Sequence, residues 1–190
     1  MKVIAFNTSA RKDGNTALLV NHVFKELNAE GIETELIQLA GNAVRGCGAC
    51  YGCFKNKNKK CSISDDLVNN CITKMVEADG VIIASPTYFA DISASGKALI
   101  ERAGMVARAN GNMFKRKIGA GVIAVRRSGA IHAFDSINHF FLISEMIIPG
   151  SSYWNVGKGR EIGEVEQDDE GIQTMKDLGK NMAWLLKKIN

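Results

Sequence analysis

Short apolar runs alternate with longer amphipathic segments along this chain. The run KVIAFN, residues 2–7, reads as a buried strand. In residues 14–31, Leu18, Leu19, Val23, Phe24 and Leu27 recur at three-to-four spacing, as along one face of a helix. Asn15 or Thr16 suits its start and Gly31 its end. Residues 32–39, IETELIQL, alternate like a second strand. After a cysteine-rich loop at 45–64, residues 65–79 predict a second helix, with Asp65 and Asp66 at its positive N-terminal end. The apolar GVIIASP, 80–86, is a third strand. Residues 93–108 predict a third helix, broken near Gly104. A fourth strand at 117–125, a fourth helix at 131–146, a fifth strand at 147–154 and a closing helix at 169–189 follow. The segment 157–171 reads as a surface loop.

Five strand–helix units in alternation require crossovers, and right-handed crossovers give a parallel sheet covered on both faces. With no repeat, low-complexity tract or linker, residues 1–190 are expected to form a single α/β domain. Ligands of such sheets bind beyond the carboxyl ends of the strands, which directs attention to the loops there.

Composition narrows the function classes. Hydrophobic residues make up 46% and charged residues 23%, enough for a sizeable core and against global disorder. The net charge of +4, from 24 basic and 20 acidic residues, is too mild to argue for nucleic acid. The N-terminus is no signal peptide, and no apolar run is long enough to span a membrane. A cytoplasmic protein is expected, where structural disulfides are rare. Five cysteines, four of them clustered, then point to metal or redox chemistry.

The first strand ends in NTSARKDGNT, residues 7–16, which opens a helix. Such a loop offers backbone N–H groups and the positive helix end to an anion. Thr8, Ser9, Asn15 and Thr16 add donors and Arg11 adds charge, a set that suits a phosphate monoester. There is no GK[ST] for a nucleotide-hydrolase P-loop and no G-x-G-x-x-G for a dinucleotide.

This stretch resembles the phosphate loop of the NADPH-dependent FMN reductases, which often read G-S-x-R-x-x-G-N-T. Asn7 and Thr8 depart at the glycine position, while Ser9, Arg11, Gly14, Asn15 and Thr16 keep the register. The resemblance implies a flavodoxin-like three-layer sandwich with strand order 2-1-3-4-5, and an FMN phosphate among Ser9, Arg11, Asn15 and Thr16.

A second loop, SPTYFADIS at 85–93, resembles the family's S-P-x-Y-x-x-x-x-S through Ser85, Pro86, Tyr88 and Ser93. Lys97, Glu101 and Arg102 follow on the next helix. Tyr88 and Phe89 offer aromatic surface for a flat ring. By resemblance, Pro86, Thr87, Tyr88 and Phe89 contact the flavin. In the third loop, VRRSGAIH, the resemblance puts Ser128 and Gly129 beside the flavin. The paired Arg126 and Arg127 are a departure, suited to an anionic reduced flavin, to an NADPH phosphate, or to surface charge.

Cys47, Cys50, Cys53 and Cys61 give C-x2-C-x2-C-x7-C. A bacterial ferredoxin run starts with the same spacing, whereas zinc sites usually pair their ligands as C-x2-C twice. The motif resembles that of the iron–sulfur flavoproteins, a branch of the same family whose fourth cysteine follows some four to seven residues on. A [4Fe–4S] cluster on these four cysteines, zinc, and free or redox-active thiols all stay open. Cys71, inside a helix, reads as a small buried hydrophobe. The basic run Lys55 to Lys60 reads as a solvated loop or as a dock for an acidic partner.

The expected function is an FMN-dependent oxidoreductase. It passes electrons from NAD(P)H or a reduced ferredoxin to a small acceptor such as a quinone or flavin. The alternative is a non-enzymatic electron carrier or thiol-based redox sensor. The family usually assembles, which implies a homodimer or homotetramer.

Overall fold

In a computed structural model, which describes residues 1–189, five parallel strands form one sheet. They are β1 (Lys2–Asn7), β2 (Glu33–Gln38), β3 (Gly80–Pro86), β4 (Ile118–Val125) and β5 (Val156–Lys158), in the order β2-β1-β3-β4-β5. The strand order is the flavodoxin-like one expected. Residues alternate across β1: Val3 and Ala5 face one helix layer, Ile4 and Phe6 the other.

The first layer is α1 (Asn15–Ala29) with α6 (Asp169–Ile189). Leu19, Val23, Leu178 and Met182 pack there against Val3, Ile82 and Val122. The second is α3 (Val68–Glu77), α4 (Ala94–Ala109) and α5 (Ala130–Ile143). Ile72, Leu99 and Ile137 pack there against Ile4, Phe6, Ile83 and Ile123. Each such buried side chain contributes about 1.5–3 kcal/mol. Cys71 lies in this second core, 1% exposed, and burial pushes its thiol up to about 12.

Helix ends explain several boundaries. Gly31 closes α1 at a positive φ of 74°. Its N–H bonds Asn28 O and the Ile32 N–H bonds Leu27 O, a Schellman motif. At the other end the cap is Gly14, rather than Asn15 or Thr16, and no side chain accepts from the first turn.

Three expectations need correction. The fifth strand is Val156–Lys158 rather than 147–154; from the expected segment only Ile147 touches the sheet, in a lone parallel bridge to Ile118. Pro149 lacks an N–H, which breaks a ladder at that point. Helix α4 runs unbroken through Gly104, which packs beside the Phe140 ring. The cysteine loop contains a short helix, α2 (Gly52–Asn56). No helix among the described residues is long and apolar enough to cross a membrane.

Candidate functional site

The carboxyl ends of β1, β3 and β4 bring three loops together. Asn7, fully buried at the end of β1, organises the first. Its Oδ1 accepts from Ser9 N at 3.0 Å, and its Nδ2 donates to Lys12 O at 3.2 Å and Gln38 Oε1 at 2.6 Å. Thr8 reaches sideways: its N–H and hydroxyl both bond Ala84 O, at 2.9 and 3.0 Å. Ser9 Oγ accepts from Arg11 N at 3.1 Å, shaping the turn toward the helix end.

The second loop closes on itself. Ser85 Oγ accepts from Ser93 N at 2.9 Å, while Ser93 Oγ donates to Thr8 O at 2.8 Å and accepts from Gly96 N at 3.2 Å. Tyr88 and Asp91 exchange backbone hydrogen bonds of 2.8 and 3.0 Å around Phe89 and Ala90, at φ 49° and 63°. Two left-handed non-glycine residues cost about 1–2 kcal/mol each, and the turn lifts Phe89 fully into solvent. Gly129, at φ 87°, packs against it; an added Cβ would lie 3.2 Å from Ala90 Cα.

Between these loops is a cleft of about 170 Å³ lined by Ser9, Arg11, Asn15, Thr16, Pro86, Thr87, Tyr88, Ala124, Arg126, Gly159 and Arg160. Seven of the ten residues expected at a flavin thus meet in one place. Ser128 and Gly129 line a neighbouring groove of about 480 Å³ with Tyr153 and Trp154 behind them. Phe89 lines neither and is fully exposed. Asn15 is already engaged: its amide donates to Glu161 O at 2.9 Å and accepts from Gly163 N at 2.9 Å. It ties in the 157–171 segment, expected to be plain surface, and with it Arg160, whose carbonyl accepts from Arg11 Nη1 at 3.1 Å. With β5 placed at 156–158, Gly159 and Arg160 become strand-end residues; that was the signal available for them.

The site fits an FMN phosphate end. The first turn of α1 has no side-chain cap, three arginines line the cleft, and the buried Thr87 Oγ1 has no hydrogen-bond partner. An orphaned buried hydroxyl on a cleft wall is an expected mark of a ligand-facing group.

The cysteine loop hangs from α4. Glu101 Oε2 accepts from Cys47 N at 3.2 Å, Cys53 Sγ donates toward Met105 O at 3.9 Å, and Asn110 Oδ1 accepts from Lys59 N at 3.0 Å. The Arg102 side chain, with no solvent exposure, donates from Nε to Cys61 Sγ at 3.3 Å, from Nη2 to Ile63 O at 2.8 Å, and from Nη1 to Arg45 O at 3.2 Å and to Asp66. Burial raises the Asp66 carboxyl, yet the Arg102 guanidinium and the Val68 N–H outweigh it and hold the group low. Asn69 clasps Cys61 from the other side, accepting from its N–H at 2.7 Å and donating to its carbonyl at 3.0 Å. Arg102 was visible in the sequence as part of the family pattern. Its tie to the cysteines was not, although it interrupts the buried stripe Leu99, Ala103, Val106.

All five cysteines are free. Left-handed Ala49 and Tyr51, at φ 49° and 55°, flank the exposed Cys50. Its thiol is held below the ordinary range by the Gly52 N–H and then the Ser62 hydroxyl. Gly52 packs closely on Ser62: a Cβ there would lie 1.9 Å from Ser62 Oγ, so that hydroxyl would have to turn away. Burial pushes the Cys53 thiol up, and charge on Cys61 and Cys47 adds to that. Among the described residues no three His, Cys, Asp or Glu side chains are grouped to hold a single metal ion. A cubane takes one thiolate on each of four irons, a wider donor set than one ion uses. Four cysteines in one loop supply that type and number of donors, and N–H groups of Arg102 and Gly52 reach the Cys61 and Cys50 sulfurs.

Residues 1–161 match the NADPH-dependent FMN reductase family. An iron-sulfur flavoprotein of Methanocaldococcus jannaschii is 38% identical over 196 residues, spanning all of this chain and 99% of that protein. One from Methanosarcina thermophila is 29% identical, spanning all of this chain and 97% of the other. Among solved structures, RosB with a bound 8-demethyl-8-formylriboflavin-5'-phosphate intermediate superimposes at a TM-score of 0.76 with 18% identity, covering all of this chain and 80% of that one. A WrbA-like flavodoxin protein from Agrobacterium tumefaciens does so at 0.69 with 11% identity, covering all of this chain and 98% of that one. The chain therefore belongs to the NADPH-dependent FMN reductase family, alongside the iron–sulfur flavoproteins.

Proposed function

We propose that the protein is an FMN-dependent oxidoreductase that moves electrons from NAD(P)H or a reduced ferredoxin to a small acceptor such as a quinone or a flavin. Cys47, Cys50, Cys53 and Cys61 would hold a [4Fe–4S] cluster on the donor side. The observation that carries the reading is Thr87 Oγ1, buried and unpartnered in a cleft that also gathers Arg11, Arg126 and Arg160.

FMN, when bound, supplies the hydride and electron chemistry, and the cluster would supply one-electron transfer. The chain's own residues bind and orient. Ser9, Thr16 and the α1 N-terminus receive the phosphate, whose charge the arginines neutralise. The cleft is smaller than a pocket for a whole drug-sized ligand, so it would take the phosphate end, and the Tyr88–Ala90 turn would offer surface to the ring. Arg126, lining the same cleft, would oppose negative charge on the bound cofactor. The exposed Lys55, Lys57, Lys59 and Lys60 share the loop with the exposed Tyr51 and Phe54, whose rings stand 6.0 Å apart. That surface suits an acidic electron-transfer protein. The reading is of one domain over residues 1–190, assembled as a homodimer or homotetramer in the cytoplasm, without nucleic acid or membrane as partner.

Removing the hydroxyls of Ser9 and Thr16 together, as Ser9→Ala with Thr16→Val, should weaken FMN binding by about 10²-fold, from two lost bonds to a charged group. Tight binding that survives the double change contradicts the phosphate placement. NAD(P)H oxidation by the loaded protein should exceed that of free FMN; equal rates would point to the carrier or sensor.

A further inference from the structure

Arg102 is 1% exposed and is the largest fully buried side chain. Burying a guanidinium is costly unless its charge is paired and its donors are met. Asp66, with 2% side-chain exposure, supplies the countercharge, and the carbonyls of Arg45 and Ile63 take two further Nη donors. The Nε–H donor points at Cys61 Sγ at 3.3 Å. Nothing in the ion pair requires that contact. Cys61 is also the cysteine separated from the others by seven residues, and Arg102 and Asn69 grip it from opposite sides.

We propose that Arg102 is a positioning residue that fixes Cys61 as the fourth sulfur and raises the reduction potential of the cluster held there. The inference rests on the cluster reading given above. Reduction adds one electron, and hydrogen bonds to ligand sulfur are among the levers on cluster potential. A cationic N–H donor stabilises the more negative, reduced state. Asp66 acts with the opposite sign, since its carboxylate offsets part of the guanidinium charge. The Arg102–Asp66 pair thus sets the potential by two opposed contributions. A purely structural ion pair has no such signature.

The test is a pair of variants in the full-length, anaerobically purified protein. Arg102→Lys keeps the charge and its reach toward Asp66 but has no Nε–H for Cys61. Asp66→Asn keeps the donor and removes the countercharge. Iron and acid-labile sulfide report loading, circular dichroism and FMN absorbance report the fold, and a redox titration followed by electron paramagnetic resonance reports the potential. Arg102→Lys should move the potential negative and release iron faster to a chelator, and Asp66→Asn should move it positive. Complete loss of iron from Arg102→Lys alone, with FMN and fold retained, also supports the fixing role. Unchanged potentials, shifts in the same direction, or equal loss of iron from both variants would overturn the inference while leaving the cluster reading intact. Native protein without iron would overturn the cluster reading, and this inference with it.

Discussion

The loops at the strand ends and the cysteine loop are held in different ways. At the strand ends, position comes from register. Thr8 N bonds Ala84 O at 2.9 Å and Thr87 N bonds Ala124 O at 2.8 Å, so these loops begin as continuations of the sheet. Between β2 and α3 there is no strand to continue. The cysteine loop is fixed by side chains: Glu101, Arg102 and Asn110 from α4, and Asn69 from α3. The first arrangement spreads its support over many backbone bonds. The second concentrates it in a few residues, one of them a buried cation. The two meet through α4, whose capping residue Ser93 has its Oγ 2.8 Å from Thr8 O.

The comparison predicts unequal sensitivity. Arg102→Met leaves Asp66 buried without its partner and should cost about 3–5 kcal/mol, read as a lowered melting temperature. The matching change on the flavin side, Arg126→Met, removes an exposed charge and should stay within about 0.5 kcal/mol in stability while weakening FMN binding. Similar losses from both would erase the distinction. Ser93→Ala removes the α4 cap, worth about 1 kcal/mol, and frees Thr8 as well. It should therefore lower FMN affinity although Ser93 lies outside the cleft lining; an unchanged affinity would show that the two regions are not coupled through α4.

Acid should act on the cysteine side selectively. The folded state holds Asp66 below its ordinary value of 3.8. Folded protein then binds that proton less readily than unfolded protein, so the stabilisation is complete above that value and is lost as pH falls through the lowered folded one. Hydrogen exchange in residues 57–67 should rise in that window before β1 and β3 respond. Asp66→Asn should abolish the difference.

The same contrast governs what the sequence shows. Apolar runs in β1, β3 and β4 and the stripe in α6 are periodic, and α6 lies at Asp169–Ile189 as the pattern predicts. The edge strand β5 has three residues, VGK, too few for a period. The apolar IIPGSSYW nearby drew the assignment instead. The phosphate-loop and SPTYFADIS residues are legible because each sits just after a strand and matches a spaced pattern. Arg160 is hidden because its neighbour Asn15 reaches it across 146 positions, to Glu161. The cysteine spacing is plain, but the support is not: Arg102 is 41 residues from the sulfur it contacts. Left-handed Ala49 and Tyr51 carry no compositional signal at all, since neither is a glycine.

The central claim is that a flavin and a cluster share this chain, joined through α4. Flavin, iron, acid-labile sulfide and zinc per chain, measured after anaerobic purification, test it most directly. The account predicts about one FMN, with about four irons and matching sulfide. A protein that carries FMN with zinc, or with no metal, would contradict it and return the four cysteines to zinc binding or thiol chemistry.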